Sequence, residues 1–474
     1  MKQLILTLAF GFSCLFSDAQ NTDPILDSLK RPLPAGASVR ARAERLDKII
    51  WKIFIDANLQ YENDAMQLDS LYRCCIHGKT GDPHFEKTLG AKVMFYRGAS
   101  LVEEQPDAAL PLLKDAIRQY AGMGDSAGMA LGFSQLIYTA SRLGDSLSFA
   151  SYLDQTVALA VYIKDPFLKS VTLSDMGINC YDFGRFAEAA TYYFQSLELI
   201  EKFRTSALLD MQHDVYHNLN GIYNRLGDWD NALIYMQKAV QCAKERGQDP
   251  NVHCIGLANS YIGKREYQRA LEVLVEAENK LKGDEIGQTE AAINYTLSNC
   301  YRNLGNPKAA LACAEKSVRL LPISVNAPFG AVAVEELAQC QFALGKTDKA
   351  LGHALLAYET YLSAKQNGGL VRATELLSNI YKANGNYRKA LEYSELRYKY
   401  QTLVERQQST RQLAFGEFNR ENEVKNARRE AEIQAELTQQ RNIRYALYAG
   451  LIVFALLALL LYNRFRFKQK TAEQ

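Results

Sequence analysis

Residue types that carry chemistry are present in this chain, but their spacings assemble no catalytic set. Gly-Lys-Thr occurs at 78–80 and again at 345–347. A phosphate-cradling loop needs another Gly five residues ahead of that motif. Arg73 and Cys340 stand there instead. His-Glu-x-x-His does not occur, so the zinc-protease helix has no counterpart. His213 and His217 are four apart on a predicted helix, half of a metal site. No third ligand is evident in the sequence, and they are expected as surface decoration. No Cys-x-x-Cys pair occurs, and Cys180 and Cys300 fall at apolar positions, which suits free buried thiols. The expectation is no catalytic residue, no metal and no cofactor. One regular constellation remains. Asn259, Asn299, Gln339 and Asn379 are each 40 residues apart. A side-chain amide both donates and accepts, and so can pair with an extended peptide backbone without reading its side chains. Arg302 and Lys382 stand three residues beyond two of these amides and would attract carboxylates.

That spacing belongs to a larger repeat. Six stretches begin at Met176, Leu219, Leu257, Leu297, Leu337 and Leu377, and one Ala recurs in each: Ala189, Ala232, Ala270, Ala310, Ala350 and Ala390. Successive Ala positions differ by 43, 38, 40, 40 and 40. Leu297 and Tyr301 are four apart and share one face of a helix. Gly184, Gly227, Gly305, Gly345 and Gly385 fall where the chain must turn, since Gly tolerates positive φ. The third stretch has Arg265 in the turn place and Gly263 two residues earlier. The recurring Ala lets a second helix approach the first closely. Two further units are in phase around Phe149 and Ala109, and a possible N-terminal cap falls near Asp69. Pro322 ends the fourth clear unit.

Leu-x-x-x-Tyr, then Gly, then aromatic-x-x-Ala resembles the tetratricopeptide repeat. The family unit is about 34 residues, shorter than the period of about 40 here, and extra helical turns account for the difference. The resemblance implies an all-α solenoid of about eight helical hairpins. It also implies an array that curves, with first-helix residues on its concave face, where family members bind peptides. Asn259, Asn299, Gln339, Asn379, Arg302 and Lys382 would line that groove. Tyr301 and Tyr381 are expected between the two helices of their hairpins instead.

The two ends place the array. Lys2, an apolar run from Leu4 to Phe16 and the small residues Ser17 and Ala19 read as a secretory signal over 1–19. The array is assigned to 20–397. Residues 398–444 hold one Gly and no Pro, and read as an exposed helical linker that associates weakly with itself. Residues 445–462 carry no charge and span about 27 Å as a helix, near the ~30 Å of a hydrocarbon core. Arg464, Arg466, Lys468 and Lys470 follow, which suits the cytoplasmic side. The expectation is a single-pass protein of the inner membrane. Its array would be periplasmic, and 463–474 would be a short cytoplasmic tail.

The 474 residues carry 55 Lys and Arg against 53 Asp and Glu, a net charge of +2. That balance gives no footprint for nucleic acid. With 48% hydrophobic residues, the composition excludes a wholly disordered chain. The layout is similar to membrane-anchored bacterial envelope proteins, in particular the sensor regions of tetratricopeptide-containing histidine kinases and regulators. The expected partners are a protein or peptide in the groove and the lipid bilayer at the span. The expected function is a non-enzymatic scaffold or sensor. The alternative is the input half of a signalling receptor whose kinase or helix-turn-helix output is on a partner chain or missing.

Overall fold

The computed structural model describes residues 38–55, 82–102, 105–247, 253–280, 286–320 and 328–472. The signal at 1–19, the cap position Asp69, Cys74, Cys75 and Pro322 lie outside them. Among the described residues every regular element is a helix. In chain order they are α1 (Val39–Ile55), α2 (Pro83–Leu101), α3 (Pro106–Met123), α4 (Ser126–Leu143), α5 (Ser146–Ala160) and α6 (Pro166–Asp182). There follow α7 (Phe186–Phe203), α8 (Ser206–Leu226), α9 (Trp229–Glu245), α10 (Cys254–Gly263), α11 (Tyr267–Lys280) and α12 (Ile286–Asn303). The last are α13 (Pro307–Leu320), α14 (Pro328–Ala343), α15 (Thr347–Ser363), α16 (Asn367–Ala383) and α17 (Tyr387–Ala472). From α2 onward they pair as antiparallel hairpins, α2 with α3 through α16 with the start of α17. The protein is an all-α solenoid of tetratricopeptide type.

Each hairpin is built from the recurring residues. Ala189, Ala232, Ala270, Ala310 and Ala350 are fully buried, and Leu219, Leu297 and Leu377 are at most 1% exposed. Phe149 and Ala109 occupy the corresponding places in the two earlier hairpins and are buried in the same way. The larger Phe149 ring is accommodated by stacking on Phe183 at 3.7 Å between centroids. Tyr223 stacks on Tyr235 at 5.2 Å and Tyr381 on Tyr393 at 5.6 Å, each ring joining the two helices of one hairpin. A second bond recurs with them. Asn220 donates to the Ala232 carbonyl, Ser298 to that of Ala310 and Ser378 to that of Ala390, at 2.7 to 2.9 Å. Each satisfies a carbonyl of the second helix from the facing turn of the first.

The turns close with one pattern. Gly305 has φ of 77°, its N–H donates to Arg302 O, and the Asn306 N–H donates to Tyr301 O. This is the paired C-terminal cap that a left-handed residue permits. The Asn306 side chain then caps the next helix at the Ala309 N–H. Arg265 takes the same conformation with φ of 61°. Gly263, two residues before it, lies flat against the Trp229 ring, so closely that a Cβ there would enter the indole. The displaced Gly of the third unit thus makes room for a neighbour's aromatic, and Arg265 bears the turn.

Successive first helices (α6, α8, α10, α12, α14, α16) pack directly on one another, whereas successive second helices meet at most marginally. That asymmetry bends the array with its first helices inside. The chain divides into two compact units, Met1–Arg411 and Gln412–Gln474. Helix α17 runs unbroken through 398–444 and 445–462. Within the first unit its opening residues leave the last hairpin and reach back to the third, where Arg411 lies 5.0 Å above the Phe186 ring. In the second unit Leu437–Tyr462 has a mean hydropathy of 2.3, and is long and apolar enough to cross a membrane.

Candidate functional site

The four amides all stand on first helices, and their environments differ. Asn259 on α10 and Asn379 on α16 are exposed and make no side-chain hydrogen bond among the described residues. Asn299 on α12 is half-buried and accepts from the Asn303 amide at 3.1 Å. Gln339 on α14 is half-buried and donates to Glu335 at 2.9 Å. Lys382 is exposed and forms no ion pair among the described residues. Tyr301 and Tyr381 face the hairpin interiors, Tyr301 against the α13 contact and Tyr381 against Tyr393.

Arg302 is engaged within the array. Its Nε and a terminal nitrogen donate to both oxygens of Glu336 at 2.9 and 3.1 Å. The Glu336 side chain is 4% exposed and also accepts from Ser298 at 3.2 Å. The adjacent Glu335 accepts from Tyr361 Oη at 2.7 Å and from Arg372 Nε at 3.0 Å. Arg302 comes from α12, the two carboxylates from α14 and Arg372 from α16. Three successive first helices are therefore joined by charge-assisted bonds. Burial works against the charge of both arginines, and the carboxylates more than offset it, so both are held above their ordinary values. The sequence reading did not single out this pair. Its signal was two consecutive acids inside AVAVEELAQC, an otherwise apolar helix.

The histidines also depart from the sequence reading. His213 and His217 are buried, at 8% and 4% exposure, and His253 joins them at 0%. His217 Nδ1 and His253 Nδ1 are 3.2 Å apart, and the His213 and His253 rings meet at 5.2 Å. His213 Nδ1 lies 3.3 Å from Asp214. Among the described residues no three His, Cys, Asp or Glu side chains converge as metal ligands. Burial, then the two neighbouring imidazoles, push His253 well below the ordinary histidine range.

The unfolded imidazole therefore takes up a proton first as pH falls. This contribution to stability is complete above about pH 6.5 and is lost below it, at up to ~1.4 kcal/mol per pH unit. Asp175, pushed by burial up to about 7, works in the opposite sense. Comparison of His253→Gln with the parent isolates the histidine. The parent is expected to lose more melting temperature between pH 7.5 and 5.5 than the variant does, and equal losses would refute the assignment.

Cys180, Cys254, Cys300 and Cys340 are free and buried. Burial pushes the thiols of Cys180, Cys300 and Cys340 up to about 12, which leaves them protonated and unreactive at neutral pH.

Comparison with known proteins agrees with this architecture. The tetratricopeptide-repeat family profile matches residues 291–322, which is the α12–α13 hairpin. The fold is similar to the apo form of RapI, with a TM-score of 0.54 at 12% identity over 78% of this chain and 98% of that one. It is also similar to a signal transduction ATPase with numerous domains from Pyrococcus horikoshii, which carries a tetratricopeptide repeat sensor. There the TM-score is 0.50 at 18% identity, over 77% of this chain and 54% of that one. No curated protein matches the sequence. The fold is thus that of a tetratricopeptide-type helical-repeat array, and one of its hairpins matches the family profile.

Proposed function

We propose that this protein is a non-enzymatic scaffold or sensor that binds a peptide or protein segment along the inner face of its repeat array. The observation that carries the reading is a set of uncommitted polar side chains on first helices. Asn259, Asn379 and Lys382 are exposed on first helices and bond to nothing among the described residues. Asn299 and Gln339 continue the ladder, each with one amide atom already in use. Arg302 holds Glu336 and acts on the ligand only through the shape of the array. The test is binding of a partner recovered with the soluble array. Asn259→Ala and Asn379→Ala should each weaken it by roughly 0.5–1.5 kcal/mol with little change in melting temperature. Lys382→Ala should weaken acidic partners most, and less so at high salt. Unchanged binding in all three variants would place the ligand elsewhere.

In this reading the protein is anchored in the inner membrane through 445–462, with the array in the periplasm and 463–474 in the cytoplasm. The apolar length of Leu437–Tyr462 and the basic run after it support that orientation. A reporter active only in the cytoplasm should work fused after Gln474 and fail near Gly368, and the reverse pattern would overturn the orientation. The unbroken α17 also favours a second reading, in which the array is the input half of a receptor. The output would then lie on a partner such as a membrane kinase, or on a second copy paired weakly through 398–444.

A further inference from the structure

From α3 to α15, each second helix packs against the first helix of the next hairpin. In the later units the same positions make that contact. Leu271, Leu311 and Leu351 stand 40 residues apart on α11, α13 and α15. Leu271 packs in one cluster with Leu297 and Cys300 of α12, Leu311 with Leu337 and Cys340 of α14, and Leu351 with Leu377 and Ile380 of α16. Each such pair lies 26 and 29 residues beyond its leucine. Val318 and Tyr358, seven residues beyond two of these leucines, pack against a further cluster that holds Val334 of α14 and Leu370 of α16. The stacking seat is therefore a leucine and, two helical turns on, a second large apolar residue on the same face.

Helix α17 carries the same seat, and it stands open. Leu391 and Tyr398 are the next members of the two series. They are 62% and 76% exposed, against 8% for Leu311. A repeat array normally ends on a polar outer face, because its last unit has no neighbour to bury an apolar one. Glu395, between the two, does not close the seat, since α13 carries Glu315 at the corresponding place and still takes α14. The filled seats define what fits: an amphipathic helix with a leucine and, three residues on, a cysteine or isoleucine. Among the described residues a second copy has no such helix to give. Its first helices from α4 to α14 already pack between two second helices, and α16 lies between α15 and the Tyr393 and Ala390 positions of α17. Its α2 is tied to α1, where Asp47 accepts from Lys92 at 2.6 Å and Tyr96 at 3.0 Å.

We propose that the C-terminal end of the array is a docking surface for an amphipathic helix of a partner protein, which stacks on Leu391 and Tyr398 as the first helix of a ninth unit. The surface is separate from the amide ladder and does not depend on the peptide-binding reading. Because α17 itself supplies the seat, the partner lands on the helix whose later residues form the apolar stretch Leu437–Tyr462.

The test uses the full chain in lipid nanodiscs and a fluorescent capped peptide of residues 367–383, the α16 sequence, as the probe. A side-chain staple on its polar face keeps the peptide helical, since a helix this short is marginal alone. Its anisotropy should rise on titration with the parent chain, and Leu377→Ser with Ile380→Ser in the peptide should abolish the rise. In the chain, Leu391→Ser and Tyr398→Ser should each weaken binding about tenfold or more, the loss of one apolar side chain from an interface. Both variants should melt with the parent, because neither side chain is buried. Leu351→Ser, whose seat is filled, should melt earlier. A peptide that does not bind the parent would overturn the site. So would binding that both α17 variants retain, with the peptide then entering by exchange for α16. Crosslinked dimers of the chain that disappear with Leu391→Ser would overturn the partner assignment in favour of a second copy.

Discussion

Arg302→Ala is expected to cost about 3 kcal/mol or more of stability, because it strands a carboxylate with almost no access to water. Glu336 would keep only the Ser298 hydroxyl at 3.2 Å and the weak Cys340 thiol donor at 3.7 Å, after losing two bonds at 2.9 and 3.1 Å. Arg302 itself is 27% exposed, so removing it opens little room for water around an acid that is 4% exposed. A surface ion pair would be worth under ~1 kcal/mol, and the burial of one partner decides between the two regimes. Chemical denaturation of the array measures the loss. The double variant Arg302→Leu with Glu336→Met should recover most of it, since replacing both members of a buried pair by apolar groups is often close to neutral. A single variant as stable as the parent would show that Glu336 finds other partners.

Ala310→Trp should be comparably damaging, for a steric reason. Ala310 is fully buried, and its carbonyl receives the Ser298 hydroxyl from α12 at 2.9 Å. The methyl group sets how closely α12 and α13 approach. An indole there must part the helices or take a strained rotamer, at typically ~1–3 kcal/mol and sometimes more. Because both helices lie in the hairpin matched by the family profile, the change strikes the most regular part of the array. Circular dichroism should show retained helix with an earlier transition. An unchanged transition would mean that this alanine is not at a tight contact.

The repeat was legible because the same few residues solve the same packing problem in each unit. Ala at the crossing, Tyr bridging the pair and Gly in the turn are local demands, and local demands leave periodic marks. Phe149 shows how far the mark stretches: a ring at the Ala place still packs, by pairing with Phe183. What escaped the reading was contact between neighbouring units. His213 was judged without His253, although one period added to 213 gives 253. Asn220 and Ser260, 40 apart, bond at 2.9 Å, and Arg302 reaches Glu336 across 34 residues. Such pairs need both the period and the side-chain reach, and a scan along one helix supplies neither. The amide ladder has the opposite character. Its spacing follows from the repeat alone, and the structure distinguishes its members only by their bonding. Asn299 and Gln339 are partly engaged, while Asn259 and Asn379 are open.

The return of α17 to the third hairpin changes how the array comes apart. A stack in which each unit touches only its neighbours melts from its ends, and its stability is close to a sum of unit and interface energies. A strut from the last hairpin to α7 closes a circuit around the intervening units. Fraying at the C-terminal end must then release Arg411 from Phe186 as well as the local interface, and the freed segment gains little entropy until that tie breaks. Units three to eight are thus coupled beyond their neighbour interfaces, and should open with a sharper transition than an open stack of the same length would show.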